Sequence, residues 1–370
     1  MKHLNKSSLV RRSLLAATLL AASVGTLPAY AQGSGKSVRL IVAFPPGGPV
    51  DFVARSISEA LGKELGATVV VESKAGGNGI IAAEYVAKSP ADGSVLWLSS
   101  AGAVAINPGL YKNLPYNPVT DLTSISVVVR NDELLVVNPK NPATGPADFV
   151  ANAKKQRTTL ASSGRGSVPH LAGELLADIT KAQLVDVPYK GAAPAITDVM
   201  AGHVDGFFGD VPGLIGHVRA GRLKPIAMAA EKRHPLLPDV KTFKEVGIEG
   251  VDSDNWYALF GPKGMSAADT NRVNQALKRA LDTPAVKERL LNSGTLPAPS
   301  TPAELQALLK KDIANWTRVI REKNITADYT PIISRPVRAI TLVARRKSSS
   351  SRRSSGCLAR LSSTVRGPAP

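Results

Sequence analysis

The chain has 370 residues, a formal net charge of +17 and one cysteine. Most of the excess charge sits at the ends. Of 46 Lys and Arg, four fall in the first 31 residues and nine in 329–370, and neither segment holds an acid, so residues 32–328 carry a net charge of only +4. A body so nearly balanced gives no ground for a nucleic-acid-binding fold. The lone cysteine, Cys357, sits in 329–370, so the body has no disulfides or thiolate metal ligands, and its length suits two lobes with cores of their own.

The first 31 residues have the layout of an export signal. Lys2, Lys6, Arg11 and Arg12 precede an apolar stretch from Leu14 to Leu27, and Ala29-Tyr30-Ala31 is a small-x-small cleavage site. The apolar stretch falls short of the roughly 20 residues that a membrane span needs, so removal after Ala31 and a periplasmic location are expected.

From Val38 a strand runs to Phe44, then Pro45-Pro46-Gly47-Gly48-Pro49-Val50-Asp51 leads straight into a helix with Val50, Val53, Ile57, Leu61 and Leu65 on one stripe. Such a junction suits an anion. Glycines allow close approach, and the first N–H groups of a helix have no internal acceptor. An ordinary strand-to-helix turn has the same composition, so the loop by itself leaves both readings open. A second strand covers Thr68–Val71, a helix starts near Ile80 after Ala75-Gly76-Gly77-Asn78-Gly79, and a third strand, Val95–Leu98, ends at Ser99-Ser100-Ala101-Gly102.

The pattern repeats from about Leu134. A strand at Thr159–Ala161 meets the loop Ser162-Ser163-Gly164-Arg165-Gly166-Ser167, and a helix with His170, Leu171, Leu175, Leu176 and Ile179 follows. Two glycine loops at two helix starts can face each other across a cleft. Further strands are expected at 184–187, 206–208 and 225–228. A returning strand begins at Trp256, followed by helices at about 267–282, 284–292 and 302–323. Strands and helices alternate throughout, which means α/β layers with largely parallel sheets. Residues 329–370, with no acids and an Arg/Lys/Ser cluster at 345–355, read as a basic, disordered tail.

Taken together, several stretches resemble the Bug family, the periplasmic solute-binding proteins of tripartite tricarboxylate transporters. They are Phe44–Asp51; Ile106-Asn107-Pro108-Gly109-Leu110-Tyr111 with Leu114-Pro115-Tyr116; Ser162–Ser167 with His170-Leu171-Ala172-Gly173-Glu174; Pro188-Tyr189-Lys190-Gly191 with Pro194-Ala195 and Asp198; Gly202-His203-Val204-Asp205; and Leu237-Pro238-Asp239-Val240. Their order and spacing match from about residue 36 to 328. The resemblance implies a two-lobed type II periplasmic-binding-protein (Venus flytrap) α/β fold with a ligand cleft between the lobes. Lobe one would comprise 32–135 and 258–328 and lobe two 136–257, with the hinge near Val136-Val137 and Tyr257-Ala258. It further implies a monomer that closes on a small organic acid, held by the first loops of both lobes, and delivers it to a membrane permease. Carried onto this chain, the ligand residues would be Phe44, Gly47, Gly48 and Asp51 in lobe one and Ser162, Gly164, Gly166, Ser167 and His170 in lobe two, with Ser99, Ser100 and Asp210 at the rim. This chain departs from the pattern at Pro49-Val50, which removes donors from the first loop, and at Arg165, whose charge would favour a dianionic ligand.

Each of these residues also has a plainer role. Asp51 can cap its helix and hold the loop through N–H bonds, in which case its oxygens are taken and the glycine N–H groups remain for the guest. Ser167 can cap the next helix and still donate its O–H. His170 reads as a packed or network histidine, and His203, His217 and His234 show no metal spacing. No metal and no cofactor are expected. A hydrolase built on Ser167 and His170 is the rival reading, but it lacks a Gly-x-Ser-x-Gly elbow. A sensor with no transport role is another alternative, and a basic adaptor acting through 345–355 is a third.

Overall fold

The computed structural model describes residues 36–251 and 253–326. The expected export signal, the expected disordered tail and Cys357 lie outside the described residues. Among these the elements run, in order, β1 (Ser37–Val42), α1 (Pro49–Leu65), β2 (Thr68–Ser73), α2 (Ile80–Ala87), β3 (Val95–Ser100), α3 (Asn107–Leu110) and β4 (Leu122–Val137). Then come α4 (Pro146–Lys155), β5 (Thr158–Ser162), α5 (Val168–Thr180), β6 (Leu184–Pro188), α6 (Ala192–Ala201), β7 (Gly206–Asp210), α7 (Val211–Arg219) and β8 (Lys224–Ala229). The chain returns through β9 (Asp254–Pro262), α8 (Ala267–Asp282), α9 (Pro284–Asn292), β10 (Leu296–Pro297) and α10 (Pro302–Glu322).

Two sheets form around one long strand. In the first, β2, β1 and β3 are parallel and β9 lies antiparallel between β3 and β4. In the second, β5 pairs in parallel with β6 and β7, and β7 and β8 lie antiparallel to β4. The 16-residue β4 serves both. Residues 122–132 pair with β9, and Glu133–Val137 pair with β7 and β8. Its register shifts between Ser124 and Ser126, between Val127 and Val129 and between Leu135 and Val136, and such bulges bend and twist a strand. The passage between sheets falls at Asp132–Glu133 on β4 and just before Asp254 on β9, a few residues ahead of the positions at which the lobe limits and hinge were expected.

The second sheet is buried on both faces, which explains its unbroken apolar runs. Successive strand residues point to opposite sides. Leu134, Val136 and Phe207 enter one core with Ile196 and Leu214, while Leu135, Val137 and Phe208 enter another with Phe149 and Leu176. The first sheet packs α1, α8 and α10 into a larger core that includes Trp97 and Trp256. The fold is thus the expected two-lobed α/β arrangement.

Helix ends follow local chemistry. Pro49 opens α1, where a missing N–H is harmless, and Gly66 closes it in the left-handed region. Thr301 and Glu304 form a reciprocal capping box at α10. The consequence for function is directional: β1, β3, β5 and β7 all end at the face where α1, α5, α6 and α7 begin, the usual position for a ligand in α/β sheets.

Candidate functional site

The helix starts converge on a small inner chamber. Gly48, Pro49 and Val50 from α1, Ser167, Val168 and Pro169 from α5, Ala192 from α6 and Asp210 from the start of α7 all line it. Phe44, Ser100, Ser163, Asn255 and Tyr257 complete the wall. Its volume is about 30 Å3, room for about one water. Among the described residues no Lys, Arg or His lines it and Asp210 does, so what it can offer an anion is the N-terminal ends of four helices.

An outer chamber of about 180 Å3 adjoins it, sharing Phe44 and Ser163. Its wall includes Gly76, Gly77, Asn78 and Tyr111 from lobe one and Gly164, Arg165, Tyr189 and Lys190 from lobe two. Here two cations line the space and no acid does. A wider hollow of about 780 Å3 opens on lobe two beside Asn138–Pro142 and Arg222, and it contains none of the expected ligand residues.

The lobes meet closely around these chambers. The Tyr111 hydroxyl donates to the Arg165 carbonyl at 3.4 Å. Gly191, at φ +115, leaves just enough space for Pro45, since a Cβ there would stand 3.0 Å from Pro45 Cδ. Gly102 lies against Gly166 with similar closeness.

Of the expected site residues, Phe44, Gly48, Ser100, Ser167 and Asp210 line the inner chamber, and Gly164 and Arg165 the outer one. The others stand behind the wall. Asp51 accepts from Gly47 N–H at 3.0 Å and from Arg55 Nε at 2.9 and 3.0 Å, so it braces the loop and also occupies the Gly47 donor. This leaves Gly48 as the glycine of the first loop that faces the chamber. Ser99 and Ser162 are buried outside both chambers, Ser99 with its Oγ donating to the Ser100 carbonyl. Gly166 packs against Asn107, Leu110 and Asn78.

His170 is a network residue. Its Nδ1 accepts from Gly166 N–H at 3.3 Å, and its Nε2 faces Glu174 at 3.8 Å and Asp186 at 3.9 Å. Burial holds its pKa below the usual histidine range, against the raising effect of Asp186. Ser167 caps α5, its Oγ accepting from His170 N–H at 3.3 Å. Because Nδ1 is taken and Nε2 points away to the acids, the imidazole is not placed to activate the Ser167 hydroxyl, so this pair forms no nucleophile–base couple. Arg165 turns its guanidinium toward Asp186, 3.6 Å away, which tempers the charge expected to favour a dianion.

Asp210, expected at the rim, belongs to the floor. Asn255 Nδ2 donates to Asp210 Oδ1 at 2.9 Å and to Glu133 Oε1 at 3.3 Å, and the Tyr257 hydroxyl donates to Asp210 Oδ2. Burial pushes the Asp210 pKa up to about 7 despite these donors. Burial, with the charge of Asp210, holds that of Glu133 well above the carboxylate range. Sequence reasoning missed Ser163, Val168, Pro169, Ala192, Asn255 and Glu133, and took Tyr257 only as hinge. The residues beginning α5 were readable as a helix start, whereas α6 (Ala192–Ala201) was not read as a helix and Glu133 and Asn255 carried no local signal.

Comparison with known proteins agrees with this architecture. A family model described as the tripartite tricarboxylate transporter family receptor matches residues 53–325. The chain is similar to the periplasmic binding protein BugD, at 31% identity and a TM-score of 0.76 over 78% of this chain and 98% of that one. It is also similar to MatC of Rhodopseudomonas palustris, solved with bound malate, at 30% identity and a TM-score of 0.74 over 77% and 98% of the two chains. A second R. palustris protein, solved with adipate, gives 31% identity and a TM-score of 0.76 over 78% and 98%.

Proposed function

The chain belongs to the tripartite tricarboxylate transporter family of receptors, and from that premise we propose that it works in the periplasm, freed of its first 31 residues, as a monomeric receptor for a small carboxylate. It is a solute-binding protein and not an enzyme, in keeping with its family and its solved neighbours. The observation that carries the carboxylate reading is the meeting of four helix starts at one buried chamber that no cationic side chain lines. Oriented N–H groups and helix dipoles can hold an anion there without a buried arginine.

One carboxylate enters the inner chamber, and the rest of the ligand extends into the outer one beneath Lys190. The inner chamber as it stands has room for only about one water, so the carboxylate is admitted from a more open arrangement of the lobes. Ligand binding then favours the closed state by contacting both loops at once, since only differential affinity shifts such an equilibrium. The closed receptor hands its ligand to a membrane permease. The R. palustris neighbours bound to malate and to adipate support a diacid.

The test is calorimetric titration and thermal-shift measurement of the mature protein with malate, adipate, the matching monoacids and uncharged diols. Stabilisation by acids and not by diols is expected. Stabilisation by the diols alone would overturn the carboxylate reading.

A further inference from the structure

Behind the chamber floor, two acids meet where the crossing strands change sheets. Glu133 and Asp210 are register partners on β4 and β7. Nδ2 of Asn255 on β9 bridges the two carboxyls, donating to Asp210 Oδ1 at 2.9 Å and to Glu133 Oε1 at 3.3 Å. Glu133 is fully buried and Asp210 is 4% exposed. Glu133 Oε2 meets no N–H or O–H donor among the described residues. Two carboxyls bridged by one Nδ2 are near enough to share a proton, and a proton on the pair supplies the donor that Glu133 Oε2 otherwise lacks.

Among the described residues neither acid has an ion-pair partner to offset a second negative charge. On β4 the next charged group is Asp132, which adds negative charge and itself faces His234. From β9 come Tyr257 and Asn255, and Asp254 is engaged with Arg130. The residues that the chamber draws from α1, α5 and β3 are uncharged: Gly48, Pro49, Val50, Ser167, Val168, Pro169 and Ser100. The β8 partner of Glu133 is Ala229. Two like charges this close, with no cation to offset them, keep one proton between them.

We propose that Glu133 and Asp210 form a proton-binding site that holds one shared proton whenever the cleft is closed on a carboxylate, so that the receptor takes up its ligand together with a proton. The coupling is electrostatic. Asp210 faces the chamber directly, and a doubly ionised pair would set two negative charges against the ligand in a water-poor space. With the proton in place the helix starts dominate. This inference rests on the carboxylate reading of the cleft, but the proton site can be tested without any ligand.

The experiment has two arms, both on the mature protein. In the first, adipate and malate are titrated calorimetrically from pH 5.5 to 8.5 in two buffers of different ionisation enthalpy. The Kd should rise about tenfold per pH unit once the pair titrates, with about one proton taken up per acid bound. Glu133→Gln, which gives Asp210 a permanent neutral donor, should flatten this dependence. His170→Asn, which removes a buried titrating group behind the second loop, should not.

In the second arm, Tm is followed against pH without ligand. Carboxyls whose pKa is raised by folding contribute stability at low pH that is lost as pH rises through the native value, so wild-type Tm should fall between about pH 4 and 7 more steeply than that of Glu133→Gln. Should that variant not fold, Asp210→Asn reports the same slope. A Kd independent of pH with no proton uptake overturns the coupling, and an unchanged Tm slope in the variant overturns the proton site. Failure of both acids to bind at any pH overturns the carboxylate reading and the coupling with it, while the Tm arm still decides the proton site.

Discussion

The backbone of Gly102 lies so close to Gly166 that a Cβ on Gly102 would stand 2.9 Å from the Gly166 carbonyl oxygen. The first residue follows β3 in lobe one and the second belongs to the β5–α5 loop in lobe two, so the contact exists only when the lobes are together. Gly102→Ala should leave each lobe intact and oppose closure. Overpacking of this kind costs about 1–3 kcal/mol, which corresponds to a Kd roughly tenfold to a hundredfold weaker. Small-angle scattering should show a larger radius of gyration in the presence of ligand. An unchanged Kd would mean that closure does not bring these backbones together.

Asp51 and Arg55 form an ion pair, but their roles differ. The carboxylate is buried and satisfies Gly47 N–H, whereas the Arg55 side chain is 52% exposed. Asp51→Ala should cost about 1–3 kcal/mol, since it leaves a loop donor unmet. Arg55→Ala should cost under about 1 kcal/mol, as exposed ion pairs do. Denaturant unfolding of both variants checks this, and equal losses would show that the ion pair, not the loop brace, is what matters.

His170 links the second loop to pH. Its pKa is lowered by burial, so its contribution to stability is present above about pH 6.5, the unfolded value, and is lost as pH falls through the lower native value. Protonation also removes the acceptor for Gly166 N–H. The acid pair contributes the opposite slope, so the His170 part is read as a difference: as pH falls over that range, His170→Asn should gain on wild type by roughly 1 kcal/mol per pH unit. Chemical denaturation at pH 5.0 and 7.0 gives the comparison. Parallel losses in both proteins would place the acid sensitivity elsewhere.

Lys190 is exposed and lines the outer chamber, where Arg165 is already engaged with Asp186. Lys190→Gln should weaken binding of a diacid by about fivefold at low ionic strength and less at 0.5 M salt, where exposed charges are screened. Binding of the matching monoacid should hardly change. Calorimetric titration of adipate and a monoacid at two salt concentrations distinguishes these outcomes, and equal weakening of both ligands would remove the ammonium from any role in reading the far end.

The strands, the glycine loops and the helix starts of α1 and α5 were legible in the sequence because each rests on neighbours in the chain, whereas α6 and α7 were not read. Apolar periodicity marks the helices, glycine permits the turns, and a helix start leaves N–H groups unpaired whatever it packs against. The placement of Phe44, Gly48 and Ser167 at the chamber followed from that. The first three quarters of β4, residues 122–133, were not read as a strand, because polar residues mask the apolar pattern and the pairing partner of 122–132 lies far along the chain in β9.

Which side chains face the ligand was decided by tertiary structure. Ser99 and Ser100 are adjacent and chemically alike, yet strand alternation sends one toward the chamber and the other into the core, and only the packed sheet shows which. Asp51 looked like a ligand group until the fold placed Arg55 and Gly47 against it. The floor required the most from the fold: Glu133, Asp210, Asn255 and Tyr257 come from three strands, and β4 and β9 bring them together only by crossing between sheets. Local sequence determines where a helix may offer its N–H groups, but a buried acid pair depends on long-range pairing that no short segment encodes.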